Sequence, residues 1–347
     1  MFDADDLLDD MFTEALQREV MTQDKKAKEA MRERLVAIAP NRQFHLEERC
    51  EETQLRYKAI EQTHSLVCAE DVIGREDDKK EIIGFLLNPN VKDNVSILPI
   101  VGIGGLGKTT IAQLVFNDEV IKKHFEEKLW VCASENFEVK IIVEKILQRV
   151  KNRKPENLEM NTLVNNLWKE ISGKRYLLVL DDVWNEDHEK WFSLKNLLMG
   201  GARGSRILVT THSKIVAKIT QTILPHFLKG LDAQKSWSLF KKMAFVEGEE
   251  SKSAYFVEFR KEILKKCVGI PLAIRTIGSL LYFKNSKIEW LSFKNNELSK
   301  IPQKETDILP TLKLSYDHLP SHLKQCFSYC SLFPKNYKIN KSCLIKM

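Results

Sequence analysis

Apolar residues change their spacing twice along the chain. Leu7, Met11, Phe12, Ala15 and Leu16 recur at helical intervals ahead of Pro40, predicting one or two amphipathic helices in the opening segment. Residues 40 to 70 are polar and weakly periodic, as in a partly helical linker. From Val72 the texture alternates. Val95 to Val101, Tyr176 to Leu180 and Arg206 to Thr210 are short, dense apolar runs of the kind buried on both faces of a parallel sheet, and Lys128 to Ala133 is a weaker fourth. Helical patterns such as Thr109 to Phe116 and Ile141 to Val150 separate them. Strand, helix, strand in repetition predicts an α/β fold with a parallel sheet and right-handed crossovers.

Beyond about residue 223 the strand texture stops. Trp237 to Ala244, Phe256 to Cys267 and Leu272 to Tyr282 read as amphipathic helices with little room for a sheet between them, and further helices are expected around Leu312 and Leu323. The expected organisation is a helical segment and linker over 1–62, an α/β domain over 70–222, a small helical bundle over 223–305 and a last segment over 306–347. No internal repeat with a period of about 20 to 50 residues is visible.

A length of 347 residues and a hydrophobic content of 43% suit several folded domains. No apolar run approaches the roughly 18 residues that would span a bilayer. The acidic opening Met1 to Asp10 also lacks the basic and apolar regions of a signal peptide, so a cytoplasmic protein is expected. The seven cysteines are scattered without a CxxC pair and read as reduced thiols. His318, His322, Cys326 and Cys330 recur every four residues. On one helix that stripe would be about 18 Å long, too long for a single tetrahedral metal. The net charge of +6 divides unevenly: residues 1–62 carry 15 acidic and 10 basic side chains, residues 300–347 carry 3 and 8. That asymmetry suggests contact between domains or an acidic partner. Nucleic acid is disfavoured, because the basic residues do not alternate with aromatic ones.

The chemistry concentrates after the first dense strand. Gly102-Ile-Gly104-Gly105-Leu-Gly107-Lys108-Thr109 fits GxxxxGK[ST] between a strand and a helix. Glycines at such a junction let backbone N–H groups surround phosphates, and the helix N-terminus adds positive potential. Lys108 would reach the β and γ phosphates and Thr109 would ligate Mg²⁺. Gly102, Gly104 and Gly107 also fit GxGxxG, but the Lys-Thr pair selects a triphosphate over a dinucleotide. Asp181 and Asp182 end the strand Tyr176 to Leu180. In a P-loop protein the first acid orients Mg²⁺ and the second polarises an attacking water. Beyond the strand Arg206 to Thr210, Thr211 and His212 stand where a polar side chain could sense the γ-phosphate.

These blocks, with Leu177 to Trp184 (LLVLDDVW), Gly204 to Thr211 (GSRILVTT), Gly269 to Leu272 (GIPL) and Cys326 to Pro334 (CFSYCSLFP), resemble the NB-ARC module of plant coiled-coil disease-resistance proteins. Val72 to Glu76, Lys128 to Ser134 and Leu228 to Leu231 fit as further blocks, and Asp3 to Phe12 looks like the last part of that family's coiled-coil domain. The resemblance implies an ADP/ATP switch in innate immunity: ADP holds the protein off, ATP turns it on, and the active form self-associates. It implies a P-loop domain followed by a helical bundle and the start of a winged helix, with protein partners met through the N-terminal helices. It assigns Val72, Ile73 and Arg75 to the adenine side, and Pro271 and Leu272 to the base from the helical bundle. Gly105, Gly107, Lys108, Thr109 and Thr110 are assigned to the phosphates, Asp181 to Mg²⁺ and Asp182 to hydrolysis.

Two departures from the family pattern stand out. His212 occupies the place of an Arg, and an imidazole cannot offer a phosphate the fixed fork of a guanidinium. The chain also stops at Met347, ahead of the family's later winged-helix motif and leucine-rich repeats, which gives the expectation of a fragment. Two other readings stand beside the switch: an interaction fragment without receptor activity, and a P-loop ATPase of different function.

Overall fold

The computed structural model describes residues 65–89, 93–133, 137–151, 158–245, 255–284, 286–298 and 309–330. Among the described residues, those up to Pro320 fall in one compact unit and Ser321–Cys330 in a second. The expected N-terminal helices and the end of the expected winged helix lie outside the described residues.

The first unit alternates strand and helix as the apolar runs predict. Helix α1 spans Glu76–Leu87, followed by β1 (Val95–Val101), α2 (Lys108–Phe116), α3 (Glu119–His124) and β2 (Glu127–Cys132). Then come α4 (Val139–Lys151), α5 (Met160–Ile171), β3 (Tyr176–Asp181), α6 (His188–Leu198), β4 (Ser205–Thr211), α7 (Lys214–Thr220) and β5 (His226–Phe227). Asp187 starts α6 by accepting the N–H groups of Glu189 and Lys190, and Ser213 starts α7 in the same way for Ile215 and Val216. These caps satisfy donors that the first turn of a helix leaves open.

The five strands pair in parallel in the order β2-β3-β4-β1-β5. Every residue of β1, β3 and β4 is buried. Successive side chains serve opposite layers: Leu98, Ile100, Leu177, Val179 and Leu208 enter one apolar cluster, while Ile97, Leu178, Leu180, Ile207 and Val209 enter the other. Burial on both faces is why these strands read as continuous apolar runs rather than alternating ones.

The sheet continues past the expected boundary at 222, because β5 pairs Ile100 with His226 and Val101 with Phe227. Two residues, one of them exposed Phe227, carry no periodic signal, so the strand is invisible in the sequence pattern. The helices that follow are α8 (Ala233–Ala244), α9 (Tyr255–Cys267), α10 (Pro271–Tyr282), α11 (Lys287–Asn296) and α12 (Leu309–Asp317). Phe240, Phe259, Ile274, Trp290 and Phe293 belong to the same cluster as Leu98 and Val179. The helical bundle therefore shares a core with one face of the sheet. Helix α13 (Ser321–Cys330) is the described part of the second unit.

Candidate nucleotide-binding site

The candidate site forms where β1, β3 and β4 end. After Val101 the chain turns through Gly102 to Gly107 and enters α2 at Lys108. Gly105 and Gly107 hold φ of +77° and +89°, left-handed values that an L side chain resists. No side chain caps α2, so its leading N–H groups and the positive end of its dipole face the loop, as an anion would require. The Lys108 Nζ donates to the Ile103 carbonyl at 3.0 Å, folding the lysine back across the loop. Burial holds this ammonium below its ordinary value, and the Asp182 and Asp181 carboxylates pull in the opposite direction.

Asp181, the last residue of β3, is fully buried. Its Oδ1 accepts the Thr109 hydroxyl at 3.0 Å and the Thr210 hydroxyl at 2.5 Å. The next residue, Asp182, takes a left-handed φ of +60°, and its N–H donates to Thr210 Oγ1 at 2.8 Å. Its carboxylate accepts the Trp184 indole N–H at 2.7 Å. The Trp184 ring packs against His212 with centroids 4.1 Å apart and planes tilted by 49°. A hydroxyl and a carboxylate at Thr109 and Asp181 are the hard oxygen donors that Mg²⁺ takes, and the glycine turn with Lys108 suits a polyphosphate. The residues present fit Mg-nucleotide.

Other expected residues lie around this centre. Arg75 is buried; its Nη2 donates to the Leu106 carbonyl at 2.8 Å and its Nη1 to Asp78 Oδ2 at 2.9 Å. Asp78 is also 2.9 Å from His226 Nε2 on β5. Arg75 therefore fastens the P-loop backbone to α1. Val72 and Ile73 pack partly buried against the apolar cluster that contains Leu106. Pro271 occupies the first turn of α10, and the Leu272 N–H donates to the Gly105 carbonyl at 3.2 Å. Gly104 is exposed at the turn, and Thr110 lies in the first turn of α2.

Thr211 is buried and its hydroxyl accepts the Ser213 N–H at 3.1 Å, so its oxygen serves the turn after β4. Thr210 instead turns toward the paired acids. Sequence reasoning missed Thr210, Trp184, Asp78 and His226. Register places Thr210 there: Leu180 pairs with Val209, which brings the following residues Asp181 and Thr210 side by side.

Residues 75–250 match the family described as NB-ARC domain. The chain is 42% identical over 326 residues to disease resistance protein RGA2 of Solanum bulbocastanum, covering 93% of this chain and 33% of that protein. It is 37% identical over 281 residues to disease resistance RPP13-like protein 4 of Arabidopsis thaliana, covering 79% and 33% respectively. The chain thus spans about a third of the length of these relatives. Among solved structures, a signal transduction ATPase with numerous domains and a tetratricopeptide repeat sensor from Pyrococcus horikoshii aligns with 83% of this chain and 38% of its own. The identity there is 18% and the TM-score 0.48. Among the described residues no helix is long and apolar enough to cross a membrane.

Proposed function

The chain belongs to the NB-ARC family, and on that premise we propose that it is an ADP/ATP-binding switch of plant defence, off with ADP and on with ATP. The glycine turn, Lys108 and the start of α2 would hold the phosphates. Thr109 and Asp181 would hold Mg²⁺, which would neutralise phosphate charge. Val72, Ile73, Pro271 and Leu272 would border the base, and Arg75 would hold the P-loop in place behind it. Asp182 would polarise a water, giving at most slow hydrolysis. The N-terminal helices would meet protein partners in the cytoplasm, and the ATP form would self-associate.

The observation that carries the switch is the seam between the P-loop and the helical bundle. Leu272 at the start of α10 donates its N–H to the Gly105 carbonyl, and an added Cβ on Gly105 would come within 2.9 Å of the Leu272 Cβ. A rearrangement of this loop around phosphate would thereby be transmitted to α10. Switching needs such a two-state element whose balance the ligand biases. Hydrogen exchange of the α10 amides with ADP and then with an ATP analogue tests the proposal. The expected result is a difference in protection at the start of α10. Identical protection in the two states would remove the coupling.

A further inference from the structure

Resting on the reading of Asp182 as the hydrolytic acid, we propose that Trp184 is a positioning residue for Asp182, and that His212 acts on hydrolysis by bracing the Trp184 ring. Three observations converge on it. Asp182 has a left-handed backbone at φ +60°, uncommon outside glycine although aspartate is among the side chains that adopt it most readily. The Thr210 hydroxyl accepts its N–H at 2.8 Å, and the Trp184 indole donates to its carboxylate at 2.7 Å. The indole is itself backed by the His212 ring at 4.1 Å.

Trp184 is 39% exposed, so its own burial does not fix its rotamer. A partly exposed ring is held by what it touches, and His212 is one such contact across the strand ends. The N–H of an indole can only donate, and a carboxylate can only accept. The pair therefore holds the Asp182 carboxylate in one orientation. A water-polarising acid needs a fixed orientation toward that water. The position after the two threonines then influences turnover through an aromatic contact. Neither a fixed fork nor a positive charge at 212 is needed for that.

The test compares four variants of the full chain by single-turnover ATP hydrolysis and by equilibrium affinity for ADP and ATP. Trp184→Phe keeps a ring against His212 and removes the N–H. It should lower the hydrolysis rate about tenfold, the scale of one hydrogen bond to a charged group, with ADP and ATP affinity within about twofold of the parent and an unchanged Tm. His212→Ala should lower the rate severalfold, and His212→Phe should restore most of that loss. Combining Trp184→Phe with His212→Ala should be no slower than Trp184→Phe alone, because both act on one contact chain. Hydrolysis unchanged in Trp184→Phe would overturn the proposal. So would His212→Phe losing ATP affinity as fully as His212→Ala, which would mean that position 212 reads phosphate directly. Asp182→Asn, measured in parallel, separates the two levels: turnover insensitive to it overturns the reading of Asp182 itself, whereas turnover that falls in Asp182→Asn but not in Trp184→Phe overturns the positioning role alone.

Discussion

Replacing Gly105 with alanine tests the seam between the P-loop and α10 quantitatively, with Gly107→Ala as its internal control. Both glycines are left-handed, so each alanine costs about 1–2 kcal/mol in backbone strain. At Gly107 the new Cβ would meet nothing closer than the Thr110 Cβ at 3.7 Å, an ordinary contact. At Gly105 it would stand 2.9 Å from the Leu272 Cβ and 3.3 Å from Ile270 Cγ2. A Cβ is fixed to its backbone, so relief requires the start of α10 to move, which weakens the Leu272 N–H bond to the Gly105 carbonyl. Overpacking of this kind costs about 1–3 kcal/mol, and the weakened hydrogen bond falls inside that range. Gly105→Ala should therefore be less stable than Gly107→Ala by about 1–3 kcal/mol in urea unfolding of the nucleotide-free protein. Faster amide exchange should be confined to the start of α10. Equal losses of stability in the two variants, or no change in α10 exchange, would refute the reasoning.

Lys108→Ala should weaken ADP and ATP binding by tenfold or more in calorimetry, since a charge-assisted contact to phosphate contributes about 1.5–3 kcal/mol. Phosphate favours the ammonium form, so nucleotide affinity should hold steady at low pH and fall as pH rises through the value of Lys108 in the free protein. Burial sets that value below the ordinary 10.5, so the loss should begin earlier than for an exposed lysine and vanish in Lys108→Ala. Arg75→Ala should destabilise the nucleotide-free protein by about 2–3 kcal/mol, because it removes a buried charged donor from the Leu106 carbonyl and from Asp78. Burial alone would raise Asp78, yet hydrogen bonds from His226 and Arg75 outweigh it and hold the carboxyl below its ordinary 3.8. Its contribution is present above that value and is lost as pH falls through the lowered one, so acid unfolding of Arg75→Ala should show a weaker pH dependence there.

The strands that position the site were legible because burial on both faces leaves an unbroken apolar run, as in Tyr176 to Leu180. The glycine turn was legible because left-handed backbone restricts composition at fixed spacing. Strand β5 was not, since two residues set no period and its place depends on pairing with Ile100 and Val101. Within the site, local order singled out Lys108, Thr109 and Asp181, and Thr109 and Asp181 do meet at 3.0 Å. The bond of Arg75 to the Leu106 carbonyl joins residues far apart in the chain, and no local pattern encodes such a contact. Position 210 rather than 211 faces the acids because register, a property of the assembled sheet, selects which of two adjacent threonines turns inward. The pairing of Trp184 with His212 is hidden for the same reason: the residues follow different strands and meet only where β3 and β4 end together.

The account stands most directly on whether this fold holds a nucleotide, and on which one. Denaturing the purified protein and separating the released small molecules by ion-exchange chromatography identifies and counts what it carried. The account predicts ADP in amounts stoichiometric with the chain, and little or none from Lys108→Ala purified in the same way. A parent protein that releases no nucleotide and binds none when ADP and Mg²⁺ are added, or a Lys108→Ala variant that carries as much ADP as the parent, would contradict it.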